Sequence, residues 1–150
     1  MKKLSHIDAR GEARMVDVSA KPVMFREAVA RGEIRLQKST LRLIQTRAVA
    51  KGNVLACARI AGILAAKKTG EMIPLCHPLP LTHCEVNFEI PKSQDRIVVI
   101  ASAKVAAQTG VEMESLMAVS VAALTIYDMC KAVDKKMRIT EVKLISKTKR

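Results

Sequence analysis

Residues 112–133 are predicted to form a helix that is apolar on almost every side from Leu116 to Met129. A helix that covers one face of a sheet needs a single apolar stripe, because its opposite side faces water. This helix therefore needs two apolar partners. We expect one partner to be its own sheet and the other to be a second copy of the chain.

Segments on both sides of this helix alternate apolar and polar residues, as strands with one buried face do. Residues 84–90 and 97–105 are joined by the turn PKSQD and predict a hairpin, and residues 137–146 predict a last strand. This order predicts an α+β fold, an antiparallel sheet covered by helices. With 150 residues and no linker or internal repeat, the chain is predicted to be one domain, 1–150.

The first half of the chain predicts mainly helices. Pro22 and Gly32 bracket a predicted helix over residues 21–31, since proline suits a first turn and glycine follows a last one. Asn53 caps a predicted helix over residues 52–68, in which Gly62 would permit close approach of another backbone. We also predict a short helix over residues 39–46 and strands over residues 14–18 and 34–38.

The net charge of +12, from 26 Lys and Arg against 14 Asp and Glu, indicates a polyanionic partner. Nucleic acid and a small, multiply phosphorylated substrate are both candidates, and a plain solvated basic surface also accounts for the charge. Aromatic residues make up 2% of the chain, which argues against stacking of single-stranded bases. The start of the chain has no apolar run of a signal peptide, and we expect a cytoplasmic protein with reduced thiols and no membrane span.

Residues 74–84, PLCHPLPLTHC, hold three of the five prolines and must form a stiff, irregular loop. Its Cys76, His77, His83 and Cys84 are possible zinc ligands. However, adjacent side chains point apart in extended backbone, and Cys84 begins the apolar face of a strand, so we predict no metal site. Cys57 and Cys130 are predicted to be core residues. His77 is either a structural histidine or part of a ligand pocket.

Acidic and basic residues of the long helix suggest proton transfer or simple ion pairing. Asp128 and Lys131 are three residues apart and share a face, so they form either an acid–base pair or a surface ion pair. Glu112 and Glu114 lie in the first turn, where the helix dipole favours carboxylates. Because fourteen residues of helix separate Glu114 from Asp128 by about 21 Å, a compact ligand touching both requires two copies of the helix. Lys51 precedes a helix N-terminus, where anions are favoured.

The chain resembles the MoaC family, the cyclic pyranopterin monophosphate synthases of molybdenum cofactor biosynthesis, over nearly its whole length. Long strings carry the resemblance: HIDARGEARMVDVSAK, KGNVLACARIAGILAAKKTGEMIPLCHPLPLTHCEV and TGVEMESLMAVSVAALTIYDMCKAVDK. It implies a ferredoxin-like fold in a homohexamer, a trimer of dimers with sites at the dimer interfaces. It also implies that a cyclised dihydro-GTP is converted to cyclic pyranopterin monophosphate with loss of pyrophosphate. A non-enzymatic basic domain that binds nucleic acid is the alternative.

The resemblance also implies the site residues, by motif position. The implied catalytic residues are Asp128, Lys131 and Lys51. The implied substrate-binding residues are Leu75, Cys76, His77, Glu112, Met113 and Glu114. The candidates for the triphosphate are Lys21, Arg26, Lys67 and Lys147. We expect no required cofactor, with Mg²⁺ accompanying the triphosphate at most. One departure is that ISK is followed by Thr148, Lys149 and Arg150, where the family usually has a glycine-rich tail.

Overall fold

Four antiparallel strands carry four helices in the computed structural model, which describes residues 6–150. The elements are, in chain order, β1 (Met24–Arg35), α1 (Lys38–Gln45), α2 (Val54–Lys67), α3 (Thr69–Met72), β2 (His83–Glu89), β3 (Arg96–Ala107), α4 (Glu112–Cys130) and β4 (Arg138–Lys149). The sheet order is β2-β3-β1-β4, with every neighbouring pair antiparallel. This is the ferredoxin-like arrangement, so the predicted α+β fold is confirmed.

The predicted elements from α1 onward are confirmed, because their sequence patterns come from local chemistry. Asn53 caps α2 by accepting a hydrogen bond from the Ala56 amide at 3.1 Å. The β2–β3 hairpin has the predicted pairing, with Cys84 opposite Ala103 and Val86 opposite Ala101. Apolar periodicity and a capping residue therefore identify the elements correctly in this part of the chain.

The predicted helix over residues 21–31 is wrong, since this segment forms the first part of β1. β1 is a central strand, hydrogen-bonded to β3 on one side and β4 on the other. Its side chains alternate, with Ala28, Ala30, Gly32 and Ile34 buried toward the helices. Pairing along both edges outweighs the helix-forming tendency of these residues. The strand predicted over residues 14–18 is also wrong, because that segment is irregular.

The long helix α4 is buried on two sides within this chain. It packs against the sheet and also beside α2. Gly62 of α2 makes the second contact possible, since a Cβ there would lie 2.8 Å from the Ala118 carbonyl oxygen. A second copy of the chain is therefore not needed to cover this side, contrary to our expectation. Leu124 of α4 remains exposed, as do Ile60 and Leu64 of α2.

By length and composition α4 could also cross a membrane. Its place in the fold accounts for that composition, because half of its apolar window is buried inside the chain. Its fully buried residues include Val119, Ala122 and Ile126, all of which belong to the main core. We therefore interpret α4 as a core helix.

Candidate active site

A cavity of about 580 Å³ opens where the N-terminal segment, the proline-rich loop, the start of α4 and β4 meet. Its lining includes all six predicted substrate-binding residues. The full lining is His6, Val16, Val18, Lys21, Leu75, Cys76, His77, Leu79, Thr109, Gly110, Glu112, Met113, Glu114 and Lys147. A cavity of this volume suits a ligand the size of a nucleotide.

The proline-rich loop forms one wall of this cavity through Leu75, Cys76 and His77. The Cys76 amide donates to the Ile73 carbonyl at 3.0 Å, which makes a tight turn at the start of the loop. His77 Nε2 donates to the Val16 carbonyl oxygen at 2.8 Å. His77 therefore anchors the irregular N-terminal segment beside the cavity, and the loop acts as a rigid wall.

Glu114 is a buried carboxyl group in the floor of the cavity, with 3% of its surface exposed. Burial raises its pKa to about 7, and the nearby Glu112 carboxylate adds to the effect, while a hydrogen bond from its own backbone opposes it. Burial also raises the pKa of the Cys76 thiol, with a smaller contribution from Glu114. Near neutral pH Glu114 can thus exchange a proton or accept hydrogen bonds from a ligand, whereas Cys76 is a neutral thiol.

Two lysines, Lys21 and Lys147, line this cavity. Lys147 Nζ lies 3.1 Å from Glu112 Oε1. Glu112 and Lys147 also line an adjoining cavity of about 250 Å³ together with Arg26. The Arg26 guanidinium donates to the carbonyls of Ala107, the last residue of β3, and Gln108, each at 2.9 Å. Three of the four predicted phosphate ligands therefore lie close together.

Lys67, the fourth predicted phosphate ligand, lies apart from these three. It lines a cavity of about 360 Å³, together with the exposed Glu71, that shares Leu79 and Glu114 with the first cavity but does not include Lys147. Another cavity, of about 400 Å³, also includes Lys67 along with His83 and Cys84. The structure thus separates Lys67 from the cavity that holds Lys147.

A second cluster forms at the other end of α4 around Asp128. Lys131 Nζ donates to Asp128 Oδ1 at 2.6 Å, and Lys51 Nζ donates to Asp128 Oδ2 and to the Asp128 carbonyl oxygen, each at 3.0 Å. The hydrogen bonds from Lys131 and then Lys51 lower the pKa of Asp128, and the bond to Asp128 raises the pKa of Lys131. All three groups are exposed, so a ligand can reach a carboxylate base flanked by two ammonium groups.

The two clusters lie at opposite ends of one continuous helix, α4. Fourteen residues at 1.5 Å per residue separate Glu114 from Asp128 by about 21 Å. The cavity around Glu114 and the charged cluster around Asp128 are therefore two separate places on one copy of the chain.

Among residues 6–150, no three His, Cys, Asp or Glu side chains are grouped closely enough to hold a metal ion. Cys84 lies on β2 and packs against the core, where burial raises its pKa to about 11. Cys130 is buried as predicted, but Cys57 is exposed, so the core prediction for Cys57 is wrong. All four cysteines are free thiols.

Sequence reasoning missed the N-terminal part of the cavity lining, His6, Val16 and Val18. These residues belong to an irregular segment, and nothing in their local sequence pattern connects them with the distant residues of the cavity. The cavity lining also includes Thr109 and Gly110, just before α4. Gly110 has a packing reason, because a Cβ there would lie 2.0 Å from Glu112 Oε2. Its glycine therefore allows the Glu112 carboxylate to fold back toward Lys147.

Comparison with known proteins gives a consistent picture. The model of the MoaC family matches residues 15–150. A protein of Chloroflexus aggregans named cyclic pyranopterin monophosphate synthase is 57% identical over 145 residues, 97% of this chain and 88% of that protein. One of the same name from Parvibaculum lavamentivorans is 54% identical over 147 residues, 98% of this chain and 92% of that protein. Cyclic pyranopterin monophosphate synthase 1 of Mycobacterium tuberculosis is 57% identical over 145 residues, 97% of this chain and 85% of that protein.

Proposed function

The chain belongs to the MoaC family, and we propose that it converts a cyclised dihydro-GTP to cyclic pyranopterin monophosphate with release of pyrophosphate. This makes it a lyase of molybdenum cofactor biosynthesis. The relatives that match it over 97% or more of its length are named for the same product. No observation favours the nucleic-acid-binding alternative.

The observation that carries the proposal is the Asp128 carboxylate between Lys51 and Lys131. The two lysines keep Asp128 ionised, because they stabilise its charged form. An ionised carboxylate next to two ammonium groups offers a general base and two proton donors in one place. Opening one ring and closing another requires proton transfers in both directions, and this cluster can supply them.

The basic residues of the cavity explain how a triphosphate would bind. Lys21 and Arg26 line two cavities that both include Lys147. The pyrophosphate that leaves in the reaction carries negative charge. Cationic groups placed near that charge stabilise the transition state in which it develops. Leu75 to His77 and Met113 to Glu114 would then hold the fused-ring part of the substrate.

We further propose a homohexamer with each site shared between two copies in a dimer. The separation of about 21 Å along α4 supports sharing, since one compact substrate cannot touch Glu114 and Asp128 of the same helix. We propose a cytoplasmic location, in keeping with four free cysteines. The reaction is proposed to use no resident cofactor, with Mg²⁺ arriving only on the substrate phosphates.

Single-turnover measurement of pyrophosphate release from the cyclised dihydro-GTP tests the function. Asp128→Asn is expected to slow release by about 100-fold or more, the usual contribution of a positioned acid–base group. Asp95→Asn is the matched control, because Asp95 is also ion-paired to two basic side chains but lies outside the site. Failure of the folded wild type to release pyrophosphate would refute the proposal, as would an Asp128→Asn variant with the wild-type rate.

A further inference from the structure

Asp134 is a buried carboxylate in the turn after α4 that the proposed chemistry does not use. Its exposed fraction is 1%. Its oxygens accept hydrogen bonds from the Gln37 amide at 2.8 Å, the Thr40 hydroxyl at 3.0 Å, the Lys136 amide at 3.0 Å and the Gln37 side chain at 3.3 Å. Burial by itself raises its pKa, but these hydrogen bonds outweigh burial and leave the pKa below its ordinary value. Asp134 is therefore a charged anchor.

Three of the four donors belong to the start of α1. Gln37 is the residue before this helix, its side chain does not cap it, and the first turn holds no acidic residue. A helix N-terminus carries a partial positive charge and unpaired amides. Asp134 supplies the missing acceptor and the missing negative charge from a distant part of the sequence. It thereby holds the start of α1 against the end of α4.

Through α1, Asp134 supports the loop that carries Lys51. The Ala48 amide donates to the Leu43 carbonyl at 2.9 Å, which continues the hydrogen bonding of α1 into the loop. Val49 then packs against the main core, two residues before Lys51. The backbone near Lys51 is thus fixed by α1, and α1 is fixed at its start by Asp134.

Asp134 is also joined directly to the segment that carries Lys131. Its amide and the Val133 amide both donate to the Cys130 carbonyl at 3.0 Å, which closes a turn around Lys131. The contacts therefore form a ring. Asp128 contacts Lys51 and Lys131, and the supports of both lysines meet at the side chain of Asp134.

We propose that Asp134 is a positioning residue, whose hydrogen bonds to α1 hold Lys51 and Lys131 on either side of the Asp128 carboxylate. The role rests on the proposed function, in which these three groups do the chemistry. The competing view is that Asp134 stabilises the fold and has no influence on the placement of the lysines.

Three variants separate these views. Thr40→Val removes one hydrogen bond to Asp134 with little change in size, and Asp134→Asn places an amide nitrogen where an oxygen accepted a bond. Thr69→Val is the matched control, because Thr69 is equally buried, donates one hydrogen bond to the Ala65 carbonyl, and lies on α3. If Asp134→Asn does not fold, Thr40→Val decides, since it loses a single hydrogen bond worth about 1 kcal/mol.

The first measurement is an NMR titration of the aspartate carboxyls of the whole protein without substrate, with Asp128 assigned by Asp128→Asn. The charged groups that face Asp128 are Lys51 and Lys131. We expect the pKa of Asp128 to rise toward its ordinary value in Thr40→Val and Asp134→Asn, and to stay unchanged in Thr69→Val. If the pKa of Asp128 is unchanged in all folded variants, the proposal is overturned.

The second measurement is turnover. Small misplacements of reacting groups are costly, so we expect kcat to fall about tenfold or more in Thr40→Val while KM changes less than about twofold. Equal kcat in Thr40→Val and Thr69→Val would overturn the positioning role. The titration does not depend on turnover, so the two proposals can fail separately. If the pKa of Asp128 rises in the variants but the wild type releases no pyrophosphate, the positioning role is supported and the proposed reaction is refuted.

Discussion

Replacing Glu114 with glutamine should make the free energy of unfolding of the protein less sensitive to rising pH. The pKa of Glu114 rises from 4.5 to about 7 on folding, mainly because the carboxyl is buried. Between these pH values the unfolded chain releases the proton and the folded chain keeps it, so the folded state loses stability as pH increases. Each pKa unit corresponds to about 1.4 kcal/mol, which gives a loss of about 3 kcal/mol by pH 8.

Glu114→Gln removes this loss because an amide does not ionise in that range. Any contact of the carboxyl that a glutamine fails to make changes stability equally at every pH, so this difference cancels when two pH values are compared. Relative to that of the wild type, the free energy of unfolding of Glu114→Gln should therefore increase by about 3 kcal/mol between pH 4.5 and pH 8.

Urea unfolding at pH 4.5, 6 and 8 and fixed protein concentration measures this change. Glu89→Gln on β2 is the control, since the same chemical change at an exposed position should alter stability by less than about 0.5 kcal/mol. If wild type and Glu114→Gln lose stability in parallel as pH rises, Glu114 does not carry its proton to neutral pH, and the physical description of the cavity floor is wrong.

Two further changes test the cavity and the core. Lys147→Ala should raise KM for the triphosphate substrate roughly tenfold, because the variant loses one charge-assisted hydrogen bond. Lys143→Ala on the same strand should leave KM unchanged. If steady-state kinetics give the two variants equal KM values, Lys147 does not belong to the phosphate site. Gly62→Ala should lower the free energy of unfolding by about 1–3 kcal/mol, because its Cβ would press on the Ala118 carbonyl. If urea unfolding shows a neutral or stabilising effect, α2 and α4 can move apart at little cost in free energy.

The sequence predicts those parts of the fold that local chemistry decides. α2 and α4 were predicted from apolar periodicity, and the β2–β3 hairpin from strict alternation around a turn. β1 was not, because Ala28 and Ala30 suit a helix as well as a strand, and only the pairing with β3 and β4 decides between them. The exposure of a side chain also depends on tertiary packing, as the exposed Cys57 of α2 shows.

In the candidate site, too, only the contacts between residues close in sequence could be predicted. Asp128 and Lys131 were predicted to meet because they are three residues apart on one helix. The spacing of Lys51, 77 residues away, carries no such information, and its contact with Asp128 depends on how α1 and its loop pack. The sequence likewise does not show that Lys67 and Lys147 line different cavities, since that depends on tertiary packing.

The continuity of α4 makes its residue count a functional quantity. Inserting one residue between Glu114 and Asp128 would turn the charged cluster about 100° around the helix axis relative to the cavity and move it about 1.5 Å along that axis. The insertion would also rotate the buried side chains of the rest of the helix away from their present partners in the core. This segment should therefore tolerate changes of side chain far better than any change of length, and designed variants should keep its nineteen residues.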